Sequence, residues 1–146
     1  AWPESAERPV DRVSWEACQE FVGRLNERLH GLVLNLPSEA QWEYACRAGT
    51  TNKYSFGDDD EVLDDYGWLS GNSRGQTQPV GSKKPNPWGL YDMHGNVWER
   101  GQDWFDDEYY RESPKSDQTG PSKGELRVVR GGSWDFSAGS CRSNRG

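Results

Sequence analysis

Two stretches constrain this chain more than any others. Residues 86–99 read Asn-Pro-Trp-Gly-Leu-Tyr-Asp-Met-His-Gly-Asn-Val-Trp-Glu, and residues 130–134 read Arg-Gly-Gly-Ser-Trp. Glycines and tryptophans sit at fixed offsets there among oxygen-bearing side chains. Glycine admits tight turns and close backbone approach, and each buried aromatic removes roughly 150–250 Å² from water. The combination predicts a stiff, loop-rich core of a kind that calcium can pin.

Composition supports an aromatic core. Ile is absent, the other aliphatics are sparse, and the net charge is -7. By rule of thumb that balance leans toward disorder. Eight Trp and six Tyr argue the other way, since a few buried rings replace many aliphatics. With 146 residues the natural count is one domain over 1–146. The acidic balance (pI ≈ 4.8) disfavours nucleic acid and anionic membranes as partners. No apolar run approaches the roughly 20 residues that cross a bilayer, so membrane insertion is not expected. No signal peptide is visible, and the sequence starts at Ala1, which leaves a processed or trimmed N-terminus open. Cys18, Cys46 and Cys141 cannot all pair within one chain, and without a C-x-x-C motif a zinc site is not expected.

Hydrophobic periodicity predicts two helices. Residues 1–13 read as extended, broken by Pro3 and Pro9. Ser14 is a natural N-cap for a helix from Trp15 to about Leu29. Trp15, Cys18, Phe21, Val22, Leu25 and Leu29 recur at steps of three and four and make one buried face, on which Cys18 reads as core, with Gly31 as the stop. Ser38 and Gln41 form a capping-box pattern for a second helix that carries Trp42, Tyr44, Ala45 and Cys46 and ends at Gly49. Gly57 to Pro87 reads as long ordered loops with short apolar pieces such as Val62-Leu63 and Trp68-Leu69. Val97-Trp98 and Trp104-Phe105 are short strand candidates, residues 111–125 a polar surface loop, and Leu126 to Arg130 the best strand.

Three motifs stand in order: Leu36 to Ala45 (Leu-Pro-Ser-Glu-Ala-Gln-Trp-Glu-Tyr-Ala), Trp88 to Glu99, and Arg130 to Trp134. Pro9-Val10 to Trp15 and Pro79-Val80-Gly81 add to the pattern. Together they resemble the formylglycine-generating enzyme, or sulfatase-modifying-factor, family, over essentially the whole chain. The resemblance implies an α+β, C-type-lectin-like fold of two helices, short strands and long ordered loops. It also marks departures. Family members usually begin with a strand region carrying a Phe-x-Met-Gly-type motif and end with a Gly-Phe-Arg strand, and neither is present. The expectation is a fragment, or a fold whose terminal strands come from elsewhere and whose sheet edges are otherwise open.

The resemblance implies a calcium site. Asp92 and Glu99 match positions that ligate through side chains, and Gly95 and Val97 positions that ligate through carbonyls. Calcium takes six to eight hard oxygens, so the donor set suits it. The alternative reading is that Asp92 and Glu99 only cap turns. Asn72, with Ser73, resembles part of a second family calcium site. Asp58-Asp59-Asp60-Glu61 lacks EF-hand spacing and reads as a solvated acidic loop. Two lone histidines, His30 and His94, cannot form the three-nitrogen iron site of related sulfoxide synthases.

The family's oxidase chemistry uses two cysteines after Gly-Gly-Ser as thiolate ligands of copper, a soft pair suited to Cu(I). The first of those positions is Phe136 here, and the second is Cys141. One thiolate does not make the two-sulfur site, and Cys18 and Cys46, on the helices, are poor substitutes. Cys141 next to Arg142, with Arg145 near, is either a reactive thiol of lowered pKa or a packed one. The expectation is the first of three readings, the other two being its alternatives. The first is a module that binds a protein or small-molecule ligand through Trp134, Asp135, Phe136, Ser137, Ser140, Arg142 and Asn144, a stretch that resembles the variable segment of retroelement-diversified proteins. The second is a copper-dependent oxidase acting on sulfatase cysteines, with Cys141 catalytic. The third is an accessory domain of a larger bacterial protein.

Overall fold

A computed structural model describes residues 6–105 and 121–143. The described chain falls into two compact units, each built from segments distant in sequence. One holds the described parts of Ala1–Asp11, Glu43–Glu99 and Arg130–Gly146; the other holds those of Arg12–Trp42 and Arg100–Val129. Helix α1 spans Trp15–Arg28 and helix α2 Glu39–Arg47, while strands β1 (Glu99–Phe105) and β2 (Leu126–Arg130) pair as a two-stranded sheet.

Both helix starts follow the expected capping chemistry. Ser14 Oγ accepts from the Ala17 amide at 3.1 Å. In α2 the capping box closes in both directions: the Gln41 amide donates to Ser38 Oγ at 3.1 Å, and the Ser38 amide donates to Gln41 Oε1 at 2.9 Å. Each such cap contributes about 1 kcal/mol by satisfying amides that have no partner inside the helix. α1 stops at Arg28, with the Leu29 amide on the Leu25 carbonyl at 3.1 Å.

The expected buried face of α1 is only half-buried. Trp15, Cys18, Val22, Leu25 and Leu29 form that stripe, and no residue of the helix is fully buried. Phe21 departs from it at 65 % exposure, because it lies one step off the 15–18–22–25–29 row. The unit is held instead by an aromatic-cation stack. The Arg127 guanidinium carbon lies 3.8 Å from the Trp15 ring centre and 3.4 Å from that of Trp104. Arg127 Nη1 also donates to the Gln102 carbonyl at 2.7 Å, and Trp15 Nε1 to the Gly101 carbonyl at 3.1 Å. A half-buried cation between two indoles contributes on the order of 1 kcal/mol per face.

The first unit packs around rings. Tyr54, Leu63, Leu69 and Cys141 form a buried cluster with Phe56 and Ala138 against it. Tyr54 stacks on Phe56 (centroids 5.0 Å) and Phe56 on Tyr66 (4.2 Å). The region expected as ordered loops is loop, interrupted by a 3-10 turn at Val62–Asp65. β2 has the expected bounds, Leu126–Arg130. Val97-Trp98 is not a strand; β1 starts at Glu99 and already includes Trp104-Phe105, because the turn before it runs to Val97. Of the expected 111–125 loop, only residues 121–125 fall within the described residues.

Asn86 organises the turn that follows. It is 5 % exposed. Its Oδ1 accepts from the amides of Trp88 (3.0 Å) and Leu90 (3.1 Å), and its Nδ2 donates to the carbonyls of Ala45 (2.7 Å) and Cys46 (3.2 Å) at the end of α2. Asn86→Ala strands two amides and two carbonyls, so thermal or urea unfolding should register a loss of about 2–4 kcal/mol. A loss below about 1 kcal/mol would mean the turn holds without this side chain.

Candidate functional site

The turn from Asp92 to Val97 builds the site. Asp92 (φ 58), Gly95 (φ 98) and Asn96 (φ 66) all lie in the left-handed region, so the chain reverses within six residues. Gly95 is required on two counts: its φ, and the absence of space, since an added Cβ would enter the backbone of Trp68. The Gly95 amide donates to the Gly131 carbonyl at 2.7 Å and the Asn96 amide to that of Trp68 at 2.8 Å.

Residues of this turn line a cavity of about 370 Å³, together with Pro9, Val80, Gly81, Tyr91 and Glu99. Asp92, Gly95, Val97 and Glu99, the four residues matched to the first calcium site, therefore share one cavity wall. Asp92 Oδ2 accepts from the Gly81 amide at 2.7 Å, which leaves lone pairs on both carboxylate oxygens. Among the described residues the carbonyls of Gly95 and Val97 accept no hydrogen bond, although Gly95 is buried. Buried carbonyls rarely stay unpaired, and this all-oxygen set has the chemistry calcium requires. Among the described residues no group of three or more His, Cys, Asp or Glu side chains could hold a metal; two of the four donors here are main-chain.

Asn72 stands apart from that cavity. Its Oδ1 accepts from the Leu69 amide at 2.7 Å, and its Nδ2 donates to Asp64 Oδ1 and the Gly67 carbonyl, both at 3.0 Å. The side chain closes a loop. The acidic run is likewise consumed locally. Asp58 Oδ1 accepts from the Lys53 amide at 2.7 Å, Asp59 Oδ1 from the Glu61 amide at 2.9 Å, and Asp60 pairs with Lys53 Nζ and accepts from Tyr54 Oη at 2.7 Å.

The segment after Gly132 is fixed through its main chain. The Trp134 amide donates to the Asn96 carbonyl at 2.9 Å, and the Trp134 carbonyl accepts from Ser73 Oγ at 2.8 Å. The Phe136 carbonyl accepts from the Ser70 amide at 3.1 Å, and the Ser143 amide donates to the Lys53 carbonyl at 2.9 Å. A 3-10 turn, Ala138–Cys141, closes it. Gly132 (φ 77) leaves no room for a Cβ, which would run into Cys141 Sγ. The side chains face outward: Asp135, Phe136, Ser137 and Arg142 are exposed, and Trp134 and Ser140 half-buried. Phe136 meets Trp98 edge-on at 5.2 Å and remains 43 % exposed. Asn144 and Arg145 lie outside the described residues.

Cys141 is not an activated thiol. It is fully buried, and desolvation pushes its pKa up to about 12, where proximity to Arg142 had suggested a lowered value. Cys46 is also buried and its thiol pushed up to about 11, chiefly by burial. Cys46 Sγ contacts Ser143 Oγ (3.6 Å), the Met93 carbonyl (3.8 Å) and His94 Nε2 (3.9 Å). Cys18 is half-buried on α1.

Sequence reasoning missed His94 as the centre of this unit. Its Nδ1 lies 2.7 Å from the Cys141 carbonyl and its Nε2 3.1 Å from Ser55 Oγ, and its ring meets Tyr54 and Phe56 edge-on, each at 5.5 Å. A donor proton on Nδ1 serves the carbonyl, which leaves Nε2 as acceptor. Asn96 was also missed. Its side chain bridges the amide (3.0 Å) and carbonyl (3.1 Å) of Gln78.

The sulfatase-modifying factor enzyme 1-like domain matches residues 2–146. The chain belongs to this family. Its formylglycine-generating enzyme of Streptomyces coelicolor is 38 % identical over 140 residues, which cover 86 % of this chain and 42 % of that protein. The serine/threonine-protein kinase pkn1 of Chlamydia pneumoniae is 36 % identical over 136 residues, 90 % of this chain and 20 % of the kinase. The chain thus spans less than half the length of either relative. Among solved structures, Treponema denticola variable protein 1 superposes with a TM-score of 0.82 at 31 % identity, over 94 % of this chain and 64 % of that one. The fold is the α+β, C-type-lectin-like fold of the formylglycine-generating enzyme type, as the three motifs implied.

Burial lowers the His94 pKa from its ordinary value near 6.5 to about 4. The folded protein keeps the ring neutral while the unfolded chain protonates it below about pH 6.5. This group's contribution is therefore complete above pH 6.5 and falls as pH drops toward 4, by up to about 3 kcal/mol. Urea melts across that window should show the slope in the wild type and a flatter one in His94→Gln. Equal slopes would remove His94 as the cause.

Proposed function

We propose that this chain is a ligand-binding member of its family, with the segment from Trp134 to Arg142 as the contact surface. The observation that carries the reading is the separation of roles within that segment. Hydrogen bonds to Asn96, Ser73, Ser70 and Lys53 fix its main chain. Asp135, Phe136, Ser137 and Arg142 stay in solvent. A fixed main chain lowers the ordering cost of binding, and an exposed aromatic braced by a second ring is the kind of group that anchors interfaces. The chain shares its fold with a protein named as variable, and diversification of these side chains by a retroelement is part of this proposal.

Calcium is the proposed cofactor. Asp92 and Glu99 would hold it through carboxylates and Gly95 and Val97 through carbonyls. The ion supplies positive charge that pins a strained turn, and Asn96 in that turn bonds Trp134 directly. Calorimetric titration with calcium chloride should give one site, and chelation should lower the melting temperature. No heat and no shift would end this part of the proposal.

Copper does not fit the residues present. Phe136 carries no donor atom, and Cys141 is a neutral thiol at physiological pH, held so by burial. The oxidase reading therefore has little support in this chain. An accessory role within a longer polypeptide is compatible with binding, and the kinase relative carries such a domain in a longer chain.

Peptides selected from a displayed library on the wild-type protein test the contact surface. Phe136→Ala should weaken most of them at least about tenfold, since anchors of this type carry about 2 kcal/mol. Its melting temperature should fall by only a few degrees, because loss of one exposed ring contact costs about 1 kcal/mol. Peptides indifferent to Phe136, Asp135, Ser137 and Arg142 would place the surface elsewhere.

A further inference from the structure

We infer that Gln78 is a positioning residue for the contact surface proposed above, on which reading the inference rests. One side chain takes both of its main-chain groups. The Gln78 amide donates to Asn96 Oδ1 at 3.0 Å, and the Gln78 carbonyl accepts from Asn96 Nδ2 at 3.1 Å. The Gln78 side chain donates from Nε2 to the Ser73 carbonyl at 2.6 Å. Ser73 Oγ donates to the Trp134 carbonyl at 2.8 Å, and the Trp134 amide donates to the Asn96 carbonyl at 2.9 Å. Asn96, Gln78, Ser73 and Trp134 thus close a ring of hydrogen bonds. Bonds in such a network strengthen one another.

The ring holds the entry to the contact surface. Trp134 is bound at both of its main-chain groups, by Asn96 and by Ser73. Asp135 and Phe136 leave directly from it, and Phe136 meets Trp98, two residues beyond Asn96, with centroids 5.2 Å apart. The two supports of Trp134 are buried. Their amides rest on adjacent carbonyls, Asn96 on Trp68 at 2.8 Å and Ser73 on Leu69 at 2.8 Å. Gln78 takes other groups of the same two residues, the Asn96 side chain and the Ser73 carbonyl. Each support is thereby fixed at a second point, which resists rotation about the first.

Glutamine suits this position. Its amide and carbonyl are spent on Asn96, so the donor for Ser73 comes from the side chain. An N–H is required there, because the Ser73 carbonyl only accepts. Buried carbonyls are rarely left unpaired. Without Nε2 the Ser73 peptide turns toward another donor, and the hydroxyl that holds Trp134 turns with it. Gln78 acts on Phe136 through these residues.

NMR relaxation of the full chain and peptide binding together test the inference. Backbone order parameters of residues 134–137 should lie near about 0.85 in the wild type. Gln78→Met keeps the length of the side chain and removes its donor. It should lower those values toward about 0.6 and leave β2 unchanged. Ser73→Ala cuts the same ring at its next bond and should loosen the same residues. Library peptides that lose affinity in Phe136→Ala should weaken at least about fivefold in Gln78→Met, and Gln78→Met should add nothing in the Phe136→Ala background. Unchanged order parameters in both variants overturn the inference. So does a fall shared equally by β2, which marks a general loss of rigidity. Peptides that need Phe136 and ignore Gln78 overturn it and leave the contact surface in place. Peptides that ignore Phe136 and its exposed neighbours remove the surface itself, and with it the role assigned to Gln78.

Discussion

Six residues, Asp92 to Val97, fold back on themselves through three left-handed backbone positions, and the first unit hangs on that reversal. Successive residues leave the turn in different directions. His94 enters the core edge-on to the stacked rings of Tyr54 and Phe56. Asn96 reaches Gln78 with its side chain and Trp134 with its carbonyl. Asp92, Gly95 and Val97 line the cavity. Non-glycine residues at positive φ each cost of order 1 kcal/mol. The turn persists because Gly131, Trp68, Gly81 and Gln78 all bond to it.

This arrangement explains how so few aliphatic residues suffice. Stacked rings, a neutral imidazole and side-chain amides replace a large aliphatic interior. Asn86, Asn96 and Asn72 each bond main-chain groups that in an ordinary domain would pair within helices and sheets. Such loops are costly to order, but once every amide is satisfied they are as fixed as a strand. Function can then be carried by side chains that the scaffold does not use. Cys141 illustrates the division: its carbonyl serves His94 while its thiol is buried and inert.

Much of this was legible in the residues. Ser14, Ser38 and Gln41 announced both helices because capping is local chemistry. The alternation in Leu126–Arg130 set the bounds of β2, and three ordered motifs carried the family. Other features depend on contacts distant in sequence. Phe21 was counted on the buried face yet faces water, because it lies one step off the 15–18–22–25–29 row. Val97-Trp98 has strand-like residues, but the left-handed turn before it delays the ladder to Glu99. An arginine beside Cys141 argued for an acidic thiol; burial outweighs it, since desolvation acts on the whole charge while an exposed guanidinium is screened by water. His94 looked like a lone histidine, and only the fold brings the Cys141 carbonyl to it across 47 residues.

The central claim is that the scaffold immobilises the main chain of the 134–143 segment and leaves the side chains of Asp135, Phe136, Ser137 and Arg142 in solvent. Native-state amide hydrogen exchange addresses this directly. The amides of Trp134, Ser143 and Ser70 should be protected to nearly the same free energy as Val128 in β2. Their rapid exchange, at the rate of an open loop, would contradict a fixed display surface.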